Sequence, residues 1–149
     1  MFRAKRKDGQ GEVKGWLFYR DVKGYKKAFI LQDVWTMTGY NDRKIWMFDE
    51  IEVIPSTISM KTYQLDKAKE MIYGSFDLEG FGMTNDGDRA KFKDDSGTWQ
   101  VGNVSTYEGH MKFMLFADDG DDEGNQDKEL HPFDIDEVEI IGKQYDEEK

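Results

Sequence analysis

Cysteine is absent from this 149-residue chain, and proline occurs only twice. Without cysteine the chain cannot form disulfides or thiolate zinc sites, which is typical of a protein in a reducing compartment. It also lacks the roughly 18 consecutive apolar residues of a transmembrane helix. No apolar run follows the basic residues at its start, so the sequence contains no recognisable secretion signal. We therefore expect a soluble, cytoplasmic protein with no membrane partner.

The common signatures of catalysis are missing as well. The two histidines, His110 and His131, lie in different segments, and neither has a base, nucleophile or metal ligand at a recognised spacing. The chain has no glycine-rich phosphate loop. We interpret both histidines as surface or strand-edge residues and predict a protein without enzymatic activity and without a cofactor.

Negative charge is in excess, and it is unevenly distributed. The chain carries 31 Asp and Glu against 21 Lys and Arg, a net charge of -10. Residues 1–30 have a net charge of +6, whereas residues 118–149 have a net charge of -11. This layout predicts neutralisation within the fold or between the basic face of one subunit and the acidic face of another, although solvation of both ends is the simpler explanation. The chain also has 21 aromatic residues, more than a small core readily buries. Together with the charge layout, this number favours a homo-oligomer.

Alternating polar and apolar residues predict a β-rich fold. Residues 88–118 read as a meander of two strands joined by a turn at 94–97, and a third strand whose apolar face is formed by Met111, Phe113, Leu115 and Ala117. Residues 2–7 and 12–19 read as an earlier hairpin. Its Arg-Ala-Lys-x-Lys-Asp-x-x-Gly pattern at 3–11 recurs at 89–97, through either duplication or convergence.

These patterns predict an α+β chain that is mostly β, in two subdomains. Residues 1–80 form an N-terminal aromatic-rich sheet with a short helical region, and residues 81–149 form a C-terminal, five-stranded SH3-like small β-barrel with an acidic loop and tail. The helix is predicted over 66–74, with Asp66 as its N-cap and Gly74 as its stop. A strand through 71–73 is the alternative. The glycine-rich residues 78–88 are the expected junction.

Three stretches of the chain resemble the YopX family, which bacteriophages and prophages encode. Residues 2–5 (Phe-Arg-Ala-Lys) and 13–16 (Val-Lys-Gly-Trp) are similar to its start, and 86–92 with 99–102 to its centre. Residues 133–142, followed by Tyr145-Asp146-Glu147, are similar to its closing pattern. Residues 73–84 depart from the aromatic-Thr-Gly-Leu-Lys-Asp segment that many members carry. The resemblance implies an uncharacterised accessory protein of a phage or prophage, with a barrel-like core, self-association and no enzymatic activity, in the cytoplasm of a bacterial host.

The basic first hairpin is the predicted interaction surface. Its lysines and arginines are interleaved with aromatic residues, as in platforms that bind single-stranded nucleic acid. Core packing explains the same aromatics, and the net charge of -10 opposes an approaching phosphate, so a second copy or another host or phage protein is the preferred partner. A further alternative is an acidic mimic of DNA that uses residues 118 onward. The candidate interaction residues are Arg3, Lys5, Lys7, Lys14, Trp16, Phe18 and Tyr145.

The acidic loop at 118–129 resembles the start of a calcium-binding EF-hand loop. Asp119, Asp121 and Glu123 occupy its first, third and fifth places, and Gly124 the sixth. The register then fails, because the twelfth place, which needs a bidentate acid, falls on Leu130. We therefore interpret the loop as a solubilising segment, with those three acidic residues as the only metal candidates.

Overall fold

The computed structural model describes residues 1–78, 80–106, 112–120, 126–130 and 136–143, without the side chains of 33–37 and 46. The described residues are mostly β-strand, as predicted, and their helical structure consists of short 3₁₀ turns such as Pro55–Thr57. None of their helices is long and apolar enough to cross a membrane. The chain divides into two compact units, Met1–Ile58 and Ser59–Lys149.

Four antiparallel strands make up the first unit. They are β1 (Phe2–Lys5), β2 (Glu12–Val22), β3 (Tyr25–Thr38) and β4 (Lys44–Glu52). Within the unit they pair in the order β4-β3-β2-β1. Beyond β4 the chain returns to the end of β1, where Arg6 bridges to Val53 and the Ile54 N–H donates to the Lys5 carbonyl at 3.0 Å. These bonds join the end of β1 to the residues that follow β4.

One face of these strands forms the core of the first unit. Along the start of β2, buried Val13 lies between exposed Glu12 and Lys14, as period-two alternation requires. Gly15 lies where β2 changes its neighbour from β1 to β3. A Cβ at Gly15 would lie 2.0 Å from the Leu31 carbonyl oxygen, so only glycine permits this approach. The buried apolar residues, each at most 2% exposed, are Ala4, Val13, Ala28, Ile30, Val53 and Ile58.

The second unit contains a hairpin, a two-stranded ribbon and a five-stranded sheet. The hairpin is β5 (Ser59–Leu65) with β6 (Met71–Gly74), and the ribbon is β7 (Asp77–Leu78) with β8 (Gly82–Met83). The sheet has the order β12-β11-β10-β9-β13. Its strands are β9 (Asp88–Lys93), β10 (Trp99–Thr106), β11 (Phe113–Ala117), β12 (Lys128–Glu129) and β13 (Val138–Lys143).

The predicted meander is confirmed by β9, β10 and β11. Lys93 pairs with Trp99 across the turn, and Leu115 on β11 pairs with Val104 on β10. Leu115 is fully buried, as its place on the apolar face predicted, whereas Met111 lies outside the described residues. The core contains Ile72, Ala90, Phe92, Val104, Leu115, Leu130 and Val138. The SH3-like closure of residues 81–149 stays a prediction.

The helix expected over 66–74 is a turn followed by a strand. Asp66 does cap backbone N–H groups, but its Oδ1 accepts from Ala68 and Glu70, both at 2.9 Å, and closes the turn between β5 and β6. The strand alternative was the correct one, because β6 pairs with β5 and the Tyr73 N–H donates to the buried Asp88 carboxylate at 2.8 Å.

The contacts divide the chain between residues 58 and 59, whereas the sequence placed the junction between residues 80 and 81. Ile72 on β6 is the physical reason, since it is fully buried in the same core as Phe92 and Val104. The β5–β6 hairpin therefore belongs to the second unit. The glycine-rich residues 78–88 also lie inside that unit.

The two copies of the repeated pattern fold alike at their first strands. Arg3 and Arg89 are 6% and 7% exposed, and Ala4 and Ala90 are fully buried. In each turn the aspartate that follows, Asp8 or Asp94, accepts the N–H of the residue two positions later through Oδ1. The same residues thus have the same local roles in both units, under either duplication or convergence.

Candidate interaction surface

The predicted interaction residues of the first hairpin lie on one face of the first unit. Side chains alternate across a strand, so Lys14, Trp16 and Phe18 on β2 share a face. Arg3 on β1 is directly opposite Lys14, and Lys5 is two residues further along the same face. The opposite face is the core. The structure therefore brings these five residues together on the face of the strands opposite the core of the first unit.

Their accessibility differs along that face. Trp16 is 57% exposed and Lys14 is exposed, whereas Arg3 is only 6% exposed. Lys5 is half-buried, and its backbone N–H donates to the Thr57 hydroxyl at 2.9 Å. Of the two remaining candidates, Lys7 is exposed in the segment after β1, and Tyr145 lies outside the described residues. Of the described candidates on these two strands, Lys14 and Trp16 are thus the ones most open to a partner.

An aromatic cluster continues this face from β2 across β3 to β4. The Phe18 and Phe29 rings stack, with centroids 5.3 Å apart. The Arg20 guanidinium lies over both rings, 5.6 Å and 5.2 Å from their centroids. It also donates to both carboxylate oxygens of Glu50, at 2.8 Å and 2.6 Å. Because ring stacking, a cation–π contact and an ion pair all fix the same arginine, the cluster is preorganised.

Carboxylates of the same unit neutralise much of the basic charge. Glu52 accepts from the Lys7 ammonium at 3.0 Å, and the Lys27 ammonium lies 3.7 Å from it. The Lys7 hydrogen bond, followed by the charge of Lys27, lowers the pKa of Glu52 below its ordinary value. Arg6 pairs with Asp8 at 2.7 Å and, mainly through that hydrogen bond, lowers the pKa of Asp8. These pairs lie within the first unit, so the predicted neutralisation between the basic start and the acidic end of the chain stays a prediction.

The two units differ strongly in charge. The first has eleven Lys and Arg against eight Asp and Glu, a net charge of +3. The second has ten against twenty-three, a net charge of -13. A surface with a small net positive charge and internal ion pairs suits contacts with protein better than contacts with a phosphate backbone.

The first half of β4 forms an exposed edge, which we call the edge segment (residues 44–48). Ile45, Met47 and Phe48 are 44%, 37% and 45% exposed. Among the described residues of the first unit, only β3 pairs with this segment, and the return to β1 begins near Glu52. The edge segment therefore combines a free backbone edge with exposed apolar side chains.

A tight loop forms the tip of the β3–β4 hairpin beside this edge. The Gly39 N–H donates to the Arg43 carbonyl at 2.7 Å, and Asn41 and Asp42 have positive φ values of 63° and 58°. Asn and Asp tolerate this conformation better than most residues do. Tyr40 at the tip is 90% exposed. The tip of the hairpin is thus held by its own loop and carries an exposed aromatic ring.

Native edge strands usually carry protection against pairing with another chain. Charged residues, prolines and bulges on the edge strand are the common devices. Here Lys44 and Asp49 bracket four residues without charge or proline, and the register shift in this hairpin falls on β3, between Gln32 and Trp35. In a chain whose residues are 35% charged, residues 45–48 therefore carry none of these devices on their own strand.

Sequence reasoning did not select the residues that complete this surface. Arg20, Phe29 and Glu50 come together only through the pairing of three strands, which no local pattern reveals. The edge segment had a local signal, a four-residue apolar run between Lys44 and Asp49, but that run predicts a buried strand equally well.

The metal and histidine candidates add no site to the described structure. Asp119 is exposed in the turn after β11, and Asp121, Glu123, His110 and His131 lie outside the described residues. Within the part of the chain that the structure describes, no three His, Cys, Asp or Glu residues are grouped so as to hold a metal ion. The calcium candidate stays a prediction.

No protein-family model matches this chain, and neither do any curated proteins or solved structures with which it was compared. The resemblance to the YopX family therefore stays a prediction. A functional proposal depends on the chemistry of the surface just described.

Proposed function

We propose that this protein is a non-enzymatic accessory protein of a phage or prophage that self-associates through the outer surface of its first unit, in the cytoplasm of a bacterial host. The observation that carries the proposal is the edge segment, where Ile45, Met47 and Phe48 are exposed along a strand with a free edge. The family resemblance supports the phage origin and the self-association.

The apolar contacts alone give a modest driving force. Fully burying an Ile, Met or Phe side chain is worth about 1.5–3 kcal/mol, and Ile45, Met47 and Phe48 still expose about two fifths of their surface. Covering them would contribute about 1 kcal/mol each, or roughly 6 kcal/mol for two copies. Association costs at least about 4 kcal/mol, so we expect backbone hydrogen bonds or the aromatic cluster to contribute and the affinity to be near the micromolar range.

A nucleic-acid-associated module is the second candidate, because Lys14 lies beside the exposed Trp16 on one face. A single strand could stack a base on Trp16 and place phosphates near the lysines. Two observations oppose it. Glu50 already holds Arg20, and Glu52 holds Lys7. A protein partner therefore suits the surface better. Because the second unit is acidic, mimicry of DNA is a third alternative.

The SH3-like closure of residues 81–149 belongs to the proposal as well. Its support is the strand order, in which the last strand, β13, pairs with β9, the first strand of the meander. The β13 pairing has a register shift between Ile140 and Gly142, and such an irregularity bends a strand. A curved five-stranded sheet of this kind is what a small barrel would need.

The test compares two aromatic-to-lysine substitutions by analytical gel filtration at tens of micromolar protein. Phe48→Lys places a charge on the edge segment, and Tyr25→Lys is the matched control on a residue of the same unit that is 72% exposed. We expect Phe48→Lys to elute as the monomer and Tyr25→Lys to elute with the unmodified protein. Equal behaviour of the two variants would contradict the proposed surface.

The nucleic-acid candidate has its own measurement, the polarisation of a labelled single-stranded oligonucleotide at low salt. We expect no binding in the micromolar range by the unmodified protein. Binding that Trp16→Ala abolishes would favour the second candidate instead.

A further inference from the structure

The sequence of the edge segment suggests how it would be covered. From residue 43 onward it reads Arg-Lys-Ile-Trp-Met-Phe-Asp, with cations at one end, an anion at the other and apolar residues between. Arg43 has extended backbone angles, φ -75° and ψ 134°, so it can continue the strand. A segment with opposite charges at its two ends complements itself when two copies run antiparallel.

Two-fold symmetry restricts the possible registers. In an antiparallel pair, residues directly opposite each other point to the same face of the sheet. A two-fold axis perpendicular to the sheet also leaves every residue on the face it had. One residue must therefore lie directly across from its own copy. A register centred between two residues would instead pair residues whose side chains point to different faces of the sheet.

Of the registers that remain, the one centred on position 46 matches the chemistry best. It places Ile45 opposite Met47, Lys44 opposite Phe48 and Arg43 opposite Asp49, so apolar meets apolar, an ammonium meets a ring and a cation meets an anion. The two symmetry-related contacts between Ile45 and Met47 join residues that are exposed in the single chain, at 44% and 37%.

The neighbouring registers are less favourable. Centring on position 47 places the apolar Ile45 opposite the carboxylate of Asp49. Centring on position 48 extends the pairing to Glu52, whose carbonyl already accepts the Lys7 N–H at 3.0 Å. Centring on position 45 moves Arg43 opposite Met47 and leaves Asp49 without a cation.

We propose that two copies of this chain join by antiparallel pairing of their edge segments, centred on position 46, so that the β4 strands form one continuous sheet. This inference rests on the proposed self-association and adds the identity of the partner, the strand and the register. The occupant of the edge is thus a second copy, selected by the self-complementary charges of residues 43–49.

The absence of cysteine allows a direct test, because a single introduced cysteine can form a disulfide only with another chain. Residues directly opposite in an antiparallel pair have Cα atoms about 4.5–5.5 Å apart, within disulfide range, whereas diagonal neighbours are about 7–8 Å apart. The variants are Ile45→Cys and Met47→Cys, oxidised alone and as an equimolar mixture, with a mass tag on one of them.

We expect the mixture to give mainly the mixed Ile45→Cys/Met47→Cys disulfide dimer, severalfold above the yield of either variant alone. Tyr25→Cys, at a more accessible position outside the edge segment, is the control and should stay monomeric after oxidation. Lys44→Cys mixed with Phe48→Cys tests the same register on the other face and keeps the test valid should one of the first variants fail to fold.

Each other outcome overturns a defined part of the inference. A highest yield from Met47→Cys alone would contradict the register. No disulfide from any pair, in a protein that is still multimeric by mass, would contradict the edge pairing and leave the proposed self-association in place. A monomer at every concentration would contradict both.

Discussion

Replacing Asp66 should destabilise the second unit strongly, although the residue does not belong to the unit that carries the proposed interface. Asp66 is 2% exposed. Its Oδ1 accepts the N–H groups of Ala68 and Glu70, both at 2.9 Å, and its Oδ2 accepts the N–H of Ile140 on β13 at 3.1 Å. One carboxylate thus closes the β5–β6 turn and fastens it to the edge of the five-stranded sheet.

The magnitude follows from these three bonds. A hydrogen bond to a charged group contributes about 1.5–3 kcal/mol when buried, and the three here are part-buried, so Asp66→Ala should cost about 3–4 kcal/mol. At roughly 2–4 °C per kcal/mol for a protein of this size, the midpoint of unfolding should fall by about 10 °C. Asp66→Asn keeps an acceptor for the turn but presents an amide N–H to Ile140, and should cost about 2 kcal/mol.

Thermal unfolding followed by circular dichroism measures the effect, and amide hydrogen exchange locates it. Exchange at Ala68, Glu70 and Ile140 should accelerate in Asp66→Ala, whereas Asp66→Asn should accelerate exchange mainly at Ile140. Asp95→Ala, at an exposed carboxylate of the same unit, should change the free energy of unfolding by no more than about 0.5 kcal/mol. A loss in Asp66→Ala no larger than in this control would refute the reasoning.

Two further predictions concern the second unit. The Ser96 hydroxyl, with other donors near the turn, lowers the pKa of Asp94 from 3.8 to about 2. The stability that this provides is present above pH 4 and is lost as the pH falls towards 2, so in Asp94→Asn the free energy of unfolding should depend less on pH in that window. An unchanged pH profile would contradict this expectation. The Arg89 guanidinium, whose side chain is 8% exposed, forms a bidentate pair with Asp118. Asp118→Ala should lower the free energy of unfolding, measured in urea, by about 2 kcal/mol, whereas Asp119→Ala, at an exposed residue, should change it hardly at all. Equal losses in the two variants would contradict the role of the pair.

Asp66 also shows how far local sequence signals reach. An aspartate that caps a helix and one that closes a turn both accept N–H groups a few residues later, so the sequence indicated the chemistry of Asp66 but not its element. The decision between helix and strand for 71–74 comes from pairing with β5 and from the Asp88 carboxylate, which accepts the Tyr73 N–H from 15 residues away. Such a contact has no local pattern.

The candidate interaction surface was likewise predictable only in part from local sequence patterns. Period-two alternation was enough to place Lys14, Trp16 and Phe18 on one face. It could not indicate that Arg3 is buried, or that Arg20 reaches Glu50 across the intervening β3 strand. Whether an apolar strand lies at the edge or the centre of a sheet depends on strand order, which is a property of the whole unit and not of the strand.

The mass of the unmodified protein in solution, measured by light scattering over a range of concentrations at low and high salt, tests self-association most directly. Edge pairing predicts a dimer, with twice the 17.4 kDa mass of the chain, at tens of micromolar protein. Since the apolar contacts and backbone hydrogen bonds are insensitive to salt, the dimer should persist at high salt with only a modest loss of affinity from the Arg43–Asp49 pairs. A mass of 17.4 kDa at every concentration and at both salts would contradict the account.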